Sequence, residues 1–315
     1  MAAAVRPFVS VIVPVRNAER TIGDCVASIL HTDYPDSHRE VLVVDNASSD
    51  RTARIVQAYP ARLLRERRRG PAAARNRGIA ASRADILAFT DADCVVATTW
   101  LTELVHGFAD AAVWGVAGEI LAYPPQTAAE RYIARRSIRQ QEAVRSPSWP
   151  YAVTANVAFR KATFARLGVF DAHLVTGEDK DFGKRFFAAG LRMRYAPRAI
   201  VLHRHRATAG EFFRQQVGYG YGGAALRAKY GLSWGVRGEL TQYGVLLRAV
   251  RELARASVPW RTGDAGARRA DASLEVLRYA ARRLGALRWV LTRRPRAAVV
   301  GVRHAAPCAP SAEPD

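Results

Sequence analysis

The chain has 315 residues, 49% of them hydrophobic, enough to bury a full core in one large domain or two small ones. Its 48 basic residues outweigh 28 acidic ones for a net charge of +20, which points to an anionic partner such as nucleic acid, nucleotide, phospholipid or a phosphorylated substrate. Cys25, Cys94 and Cys308 lie far apart with no CxxC pair, so no zinc site or disulfide framework is indicated, and a reduced cytosolic chain is the simplest reading.

The first apolar run, Phe8 to Val15 in "FVSVIVPV", is too short for a signal peptide or a membrane span and reads as a central β-branched strand covered on both faces. "NAERTIGDCVASIL" follows, with Asn17 as the expected cap and Ile22, Val26 and Ile29 at helical spacing. "EVLVVDN" is a strand and "DRTARIVQAY" a helix; "ARLLRE" is a short strand and "GPAAARNRGIAAS" a helix with Pro71 in its first turn. "DILAFTDAD" is a fourth strand, and "TTWLTELVHGFA" a helix capped by Thr98 or Thr99. Such alternation over residues 1–117 predicts a doubly wound α/β sheet, whose ligands bind at the carboxyl ends of its strands. Asp45 and Asp91 both occupy such ends.

Beyond "VWGVAGEI" the pattern breaks into an exposed mixed helix, "ERYIARRSIRQQEAVRSPSWPY", with a proline-bearing loop. Order resumes in "AVTANVAFRKATFARLGVFD", "GEDKDFGKRFFAAG" and the strand-like "LRMRYAPRAIVLH", and the core domain is expected to end near residue 210. The remainder divides into a basic helical extension over 211–304 and a disordered tail over 305–315. No later window is apolar enough to span a bilayer, because arginines interrupt each candidate.

Asp91 and Asp93 flank a single alanine at the end of a buried strand, where two like charges need something positive between them. Oxygen donors of this kind suit Mg²⁺ or Mn²⁺ held by one or two carboxylates and by substrate phosphates. An isolated pair more often caps a turn. This pair is not isolated: "VSVIVPVRN", "VLVVDNASSDRT", "AAARNRGIAAS", "FTDADC" and "GEDKDFGKRFFAAG" follow in the order and spacing of family-2 glycosyltransferases. Over residues 8–205 the chain resembles these inverting enzymes of the GT-A fold, which implies a mixed sheet flanked by helices, with a nucleotide-sugar half (1–117) and an acceptor half (118–210).

The resemblance implies roles residue by residue. Pro14, Val15 and Arg16 stand where the family's first strand meets the nucleobase, although Arg16 replaces the usual aromatic residue. Asp45 corresponds to the acceptor of the base N–H, Arg75 to the arginine beside the base or phosphates, Asp91 to the ribose and sugar contact, and Asp93 to the carboxylate that holds Mn²⁺ or Mg²⁺ on the diphosphate. Asp179 corresponds to the general base, supported by Glu178, at the start of a helix that favours acids. Asp181 is turned away from Asp179 by two helical positions. His203, sharing a strand face with His205, corresponds to an additional metal ligand in some relatives. Arg214, Gln215 and Tyr219, with Tyr221, resemble a stretch that closes over the diphosphate or acceptor.

The function so implied is inverting hexosyl transfer from a nucleoside diphosphate sugar, UDP-linked by default, to an acceptor hydroxyl. An arginine- and alanine-rich composition, typical of GC-rich coding sequences, points to cell-envelope or secondary-metabolite glycans. In "SLEVLRYAARRLGALRWVL", Leu274, Leu277, Ala281, Leu284, Leu287 and Leu291 form a stripe, with Arg278, Arg282 and Arg283 outside it. That helix either packs on the catalytic domain with a solvated basic face or sits over 271–296 on anionic membrane, helped by Arg288, Arg293, Arg294 and Arg296 and suiting a lipid-linked acceptor. The expected location is therefore cytoplasmic, with peripheral contact at the inner face of the membrane. Two alternatives carry less: a non-catalytic nucleotide-sugar-binding relic, opposed by intact Asp91, Asp93 and Asp179, and a nucleic-acid binder, supported by charge alone.

Overall fold

The computed structural model describes residues 6–137, 139–232 and 265–292, with scattered positions between 244 and 254. The expected tail at 305–315, Cys308, and Arg293, Arg294 and Arg296 lie outside the described residues, as does much of 233–264.

Among the described residues, eight strands form one mixed sheet: β1 (Val9–Val15), β2 (Arg39–Asp45), β3 (Arg62–Arg65), β4 (Ile86–Thr90), β5 (Cys94–Val96), β6 (Val113–Ala122), β7 (Asn156–Arg160) and β8 (Arg192–His203). Their order is β3-β2-β1-β4-β7-β6-β8-β5. The first four strands of that order run parallel; β7 is antiparallel to β4 and β6, β8 is parallel to β6, and β5 is antiparallel to β8. Around the sheet lie α1 (Ile22–Leu30), α2 (Thr52–Val56), α3 (Pro71–Ala81), α4 (Trp100–His106), α5 (Ala128–Arg136), α6 (Gln140–Val144), α7 (Ala162–Leu167) and α8 (Glu178–Ala188). Two long helices follow, α9 (Ala209–Lys229) and α10 (Ala265–Thr292).

The continuous apolar run of β1 is explained by its double burial. Val9, Val11, Val13 and Val15 face a core built with Ile22, Val26 and Ile29 of α1 and Trp100, Leu101 and Leu104 of α4. Ile12 points the other way, into a second core with Leu42, Phe89 and the α8 residues Phe182 and Phe186. Phe182 and Phe186 are thus packing residues. Asn17 departs from expectation. Its backbone is left-handed (φ 50°) and its side-chain oxygen accepts from the Ser49 N–H at 2.8 Å, so it shapes the loop before α1 instead of capping that helix. The sequence also conceals β5, three residues long, which exists because β8 pairs with it.

The tail helix packs on the catalytic fold. A Cβ on Gly220 of α9 would lie 2.0 Å from the Arg282 carbonyl oxygen, and one on Gly285 of α10 would lie 2.0 Å from that of Val217. Glycine at both positions is what lets the two backbones meet. Leu274 joins Tyr132 and Phe212 in a small core, and Tyr132 donates its hydroxyl to Glu275. The predicted stripe therefore divides: Leu274 and Ala281 are buried, Leu277 is partly buried, and Leu284, Leu287 and Leu291 are exposed.

Candidate active site

At the carboxyl end of β4 the chain turns through Asp91–Ala92–Asp93, with the Cys94 N–H donating to the Asp91 carbonyl at 3.0 Å. Cys94 then opens β5 directly opposite His203 of β8, and this register brings the histidine to the second aspartate. His203 Nε2 lies 3.4 Å from one Asp93 oxygen and Arg206 Nη2 lies 3.3 Å from the other. Burial opposes ionisation of Asp93, but the charges of His203 and Arg206 and the histidine hydrogen bond prevail, holding the carboxyl at about 2. Burial likewise opposes protonation of His203, and the Asp93 charge overrides it and raises the imidazole.

Asp93, Cys94 and His203 each offer a ligand atom, and these atoms lie within 4.8 Å of one another. Burial keeps the Cys94 thiol protonated, so it is a poor ligand for a hard ion. A carboxylate and an imidazole with room for phosphate oxygens fit Mn²⁺ or Mg²⁺. Arg206 was not singled out from the sequence; its only signal is its place at the end of "HRHR".

Arg75, buried on α3, joins the two halves of the site. One guanidinium nitrogen donates to Asp91 at 2.7 Å and the other to Glu178 at 2.5 Å. Glu178 and Asp179 begin α8 after Gly177, whose φ of 86° is left-handed and whose missing Cβ would otherwise stand 2.6 Å from Leu226. Burial pushes the Glu178 carboxyl up to about 7 despite the pull of Arg75, and it raises Asp179 too, against the nearby Lys180 and Arg75 charges. Asp179 is half-buried and accepts from the Lys180 N–H at 2.7 Å. Asp181 is fully buried between Arg185, Lys229 and Tyr230, a structural anchor as its helical position suggests.

Arg75, Asp91, Asp93, Glu178, Asp179, His203 and Arg206 line one open cleft of about 1960 Å³, which also takes in Pro14, Val15 and Arg16 at the end of β1 and Arg214, Gln215 and Tyr219 of α9. Asp45 stands behind its wall, buried, with its carboxylate accepting from the Ser48 N–H at 3.1 Å in the turn after β2. Tyr221 is half-buried on α9 and is not part of the lining. Sequence reasoning missed Trp149, a cleft residue whose indole N–H donates to the Lys180 carbonyl at 2.9 Å, beside Asp179. It also turned Arg278, Arg282 and Arg283 outward, to solvent or to anionic membrane, whereas all three line the cleft. Gly285, a glycine inside an otherwise strong helical pattern, was the available signal of close packing there.

The family model for glycosyl transferase family 2 matches residues 10–168, just over half of the chain. The chain belongs to this family. The glycosyltransferase AglE of Haloferax volcanii is 35% identical over 224 residues, covering 69% of this chain and 73% of that protein. The pre-mycofactocin glycosyltransferase of Mycobacterium tuberculosis is 32% identical over 232 residues, covering 70% of this glycosyltransferase but only 48% of the mycobacterial one. Among solved structures, the mannosyltransferase PcManGT of Pyrobaculum calidifontis, in complex with GDP-Man and Mn²⁺, superposes with a TM-score of 0.64 at 22% identity, over 92% of this chain and 89% of that one. The mixed sheet flanked by helices is accordingly a GT-A fold. Among the described residues of this glycosyltransferase, no helix is long and apolar enough to cross a membrane.

Proposed function

We propose that this glycosyltransferase moves a sugar from a nucleoside diphosphate sugar, UDP-linked, to an acceptor hydroxyl in one inverting displacement, with residues 1–210 as the catalytic unit. The observation that carries the reading is the Arg75 bridge, which ties the aspartate turn after β4 to the acidic start of α8 across a single cleft. Asp91 would contact ribose and sugar, and Asp93 with His203 would hold Mn²⁺ or Mg²⁺. When bound, that ion neutralises charge on the departing diphosphate. Asp179 would take the acceptor's proton, and burial, which raises its carboxyl, makes it a stronger base than an ordinary aspartate. Glu178, held by Arg75, would keep Asp179 in position. Pro14, Val15 and Arg16 would surround the base, with Asp45 behind the cleft wall shaping the turn beside them, and Arg214, Gln215 and Tyr219 would border the diphosphate or acceptor.

The acceptor is proposed to be lipid-linked, with the far end of α10 touching anionic membrane. The GDP-Man held by the archaeal mannosyltransferase makes a guanosine donor the second reading. Both donors are tested by following nucleotide release from UDP-α- and GDP-α-sugars, with and without Mn²⁺, while proton NMR records the first-formed anomer. Metal-stimulated UDP release with a β product is expected. An α product overturns inversion, and release from GDP-sugars alone moves the donor to guanosine.

A further inference from the structure

The α10 face expected to be solvated forms instead one wall of the catalytic cleft. Arg282 and Arg283 line it, and the Gly220–Gly285 contact fixes that face against α9. Arg282 donates through Nε to the amide oxygen of Gln216 at 2.8 Å, a neutral acceptor that leaves its positive charge in place. Burial and, after it, the neighbouring Arg278 charge lower this guanidinium. Tyr219 of α9 lines the same cleft as Arg282 and as Asp91, Asp93 and Asp179. An anion on the arginines would thus share the cleft with the catalytic carboxylates. Leu287 and Leu291 follow Arg283 at intervals of four residues, so they continue its face of the helix outward, and they are 54% and 75% exposed.

Resting on the glycosyl-transfer reading above, we infer that Arg282 and Arg283 hold a phosphate group of the acceptor and that Leu287 and Leu291 receive an apolar chain attached to it. Two guanidinium forks match the oxygens of a phosphate monoester or diester. The exposed Leu287 and Leu291, one and two helical turns beyond Arg283 and outside the cleft lining, match an apolar chain that extends out of the cleft. The acceptor class is therefore a phosphorylated amphiphile.

Calorimetry on the full chain with octyl phosphate, octyl glucoside and inorganic phosphate tests this without knowledge of the natural acceptor. Octyl phosphate is expected to bind at least about 10-fold more tightly than either of the others. Arg282→Gln with Arg283→Gln is expected to weaken octyl phosphate by about 10-fold or more, the worth of a lost charge-assisted hydrogen bond. Leu287→Ser with Leu291→Ser, both at exposed positions that leave the core intact, is expected to weaken octyl phosphate and leave inorganic phosphate unchanged. Equal binding of octyl phosphate and octyl glucoside, or indifference to the arginine changes, overturns the phosphate site. Equal binding of inorganic and octyl phosphate overturns the apolar part. UDP binding with Mn²⁺, measured on the same samples, reports separately on the donor end, so failure there leaves the octyl phosphate result standing on its own.

Discussion

Arg75 couples two acids from well-separated segments of the chain, Asp91 after β4 and Glu178 at the start of α8, and its removal should be felt in a pH-dependent way. In Arg75→Met, Glu178 and Asp91 lose a shared counter-charge, which should destabilise the fold by roughly 3–5 kcal/mol at pH 7.5. Glu178 already sits above its ordinary value of 4.5, at about 7, so the folded state binds its proton more tightly than the unfolded one. Stability contributed by that proton is present below 4.5 and lost as pH rises through 7. The Arg75→Met deficit in urea unfolding should accordingly shrink at pH 5, and a deficit that is flat with pH would remove the charge explanation. Asp179→Asn retains shape and removes the proposed base. Transfer should fall by roughly 10²–10⁴-fold with donor binding little changed, as single-turnover kinetics and calorimetry would read. Because Glu178 and Asp179 are both raised, the parent enzyme's kcat/KM should climb with pH along a limb above the ordinary carboxylate range, and its apparent value belongs to the pair. Asp93→Asn should abolish any enhancement of UDP binding by Mn²⁺; equal UDP affinity with and without metal in the parent would refute the role given to Asp93.

Among elements, α9 and α10 form the contact most sensitive to a small change. Gly220→Ala puts a methyl group where the Arg282 carbonyl oxygen stands 2.0 Å away, and backbone cannot swing aside as a flexible side chain would. Separation of the helices should cost roughly 1–3 kcal/mol, seen as a lower Tm. Since the same contact orients Arg282, octyl phosphate binding should fall along with stability, whereas UDP binding at the site proposed on β1, β4 and α3 should persist. Substitution at Gly223, where an added Cβ meets nothing within 4 Å, is the control. The α8 start is a second sensitive junction: Gly177 combines a left-handed backbone with the nearby Leu226, so its position couples α8 to α9.

For the whole molecule, the net charge of +20 divides between arginines turned into the cleft and those on the outer surface. The inner set should discriminate by geometry and survive moderate salt, while surface attraction should be screened over a Debye length of about 8 Å at physiological ionic strength. Sedimentation with anionic vesicles is therefore expected at low salt, to be sharply reduced at 0.5 M salt and to be weakened by Leu287→Ser with Leu291→Ser. Binding that ignores both salt and the leucines would place membrane contact elsewhere on the molecule.

Much of this architecture was legible in the order of residues. Apolar runs bounded by Asn, Asp and Gly are local signals, so the strands from "FVSVIVPV" to "LRMRYAPRAIVLH" and the aspartates after β4 could be read directly. The separation of Asp181 from Asp179 followed from helical geometry alone. Three features depended on partners distant in the chain: β5, which forms because β8 supplies its hydrogen bonds; the Asp93–His203–Arg206 grouping, set by the register of Cys94 opposite His203; and the inward face of α10. Helical periodicity states which residues share a face, but it is indifferent to which face meets the protein. Close approach of Gly220 and Gly285 decided that question, turning arginines that the sequence assigned to water toward the cleft.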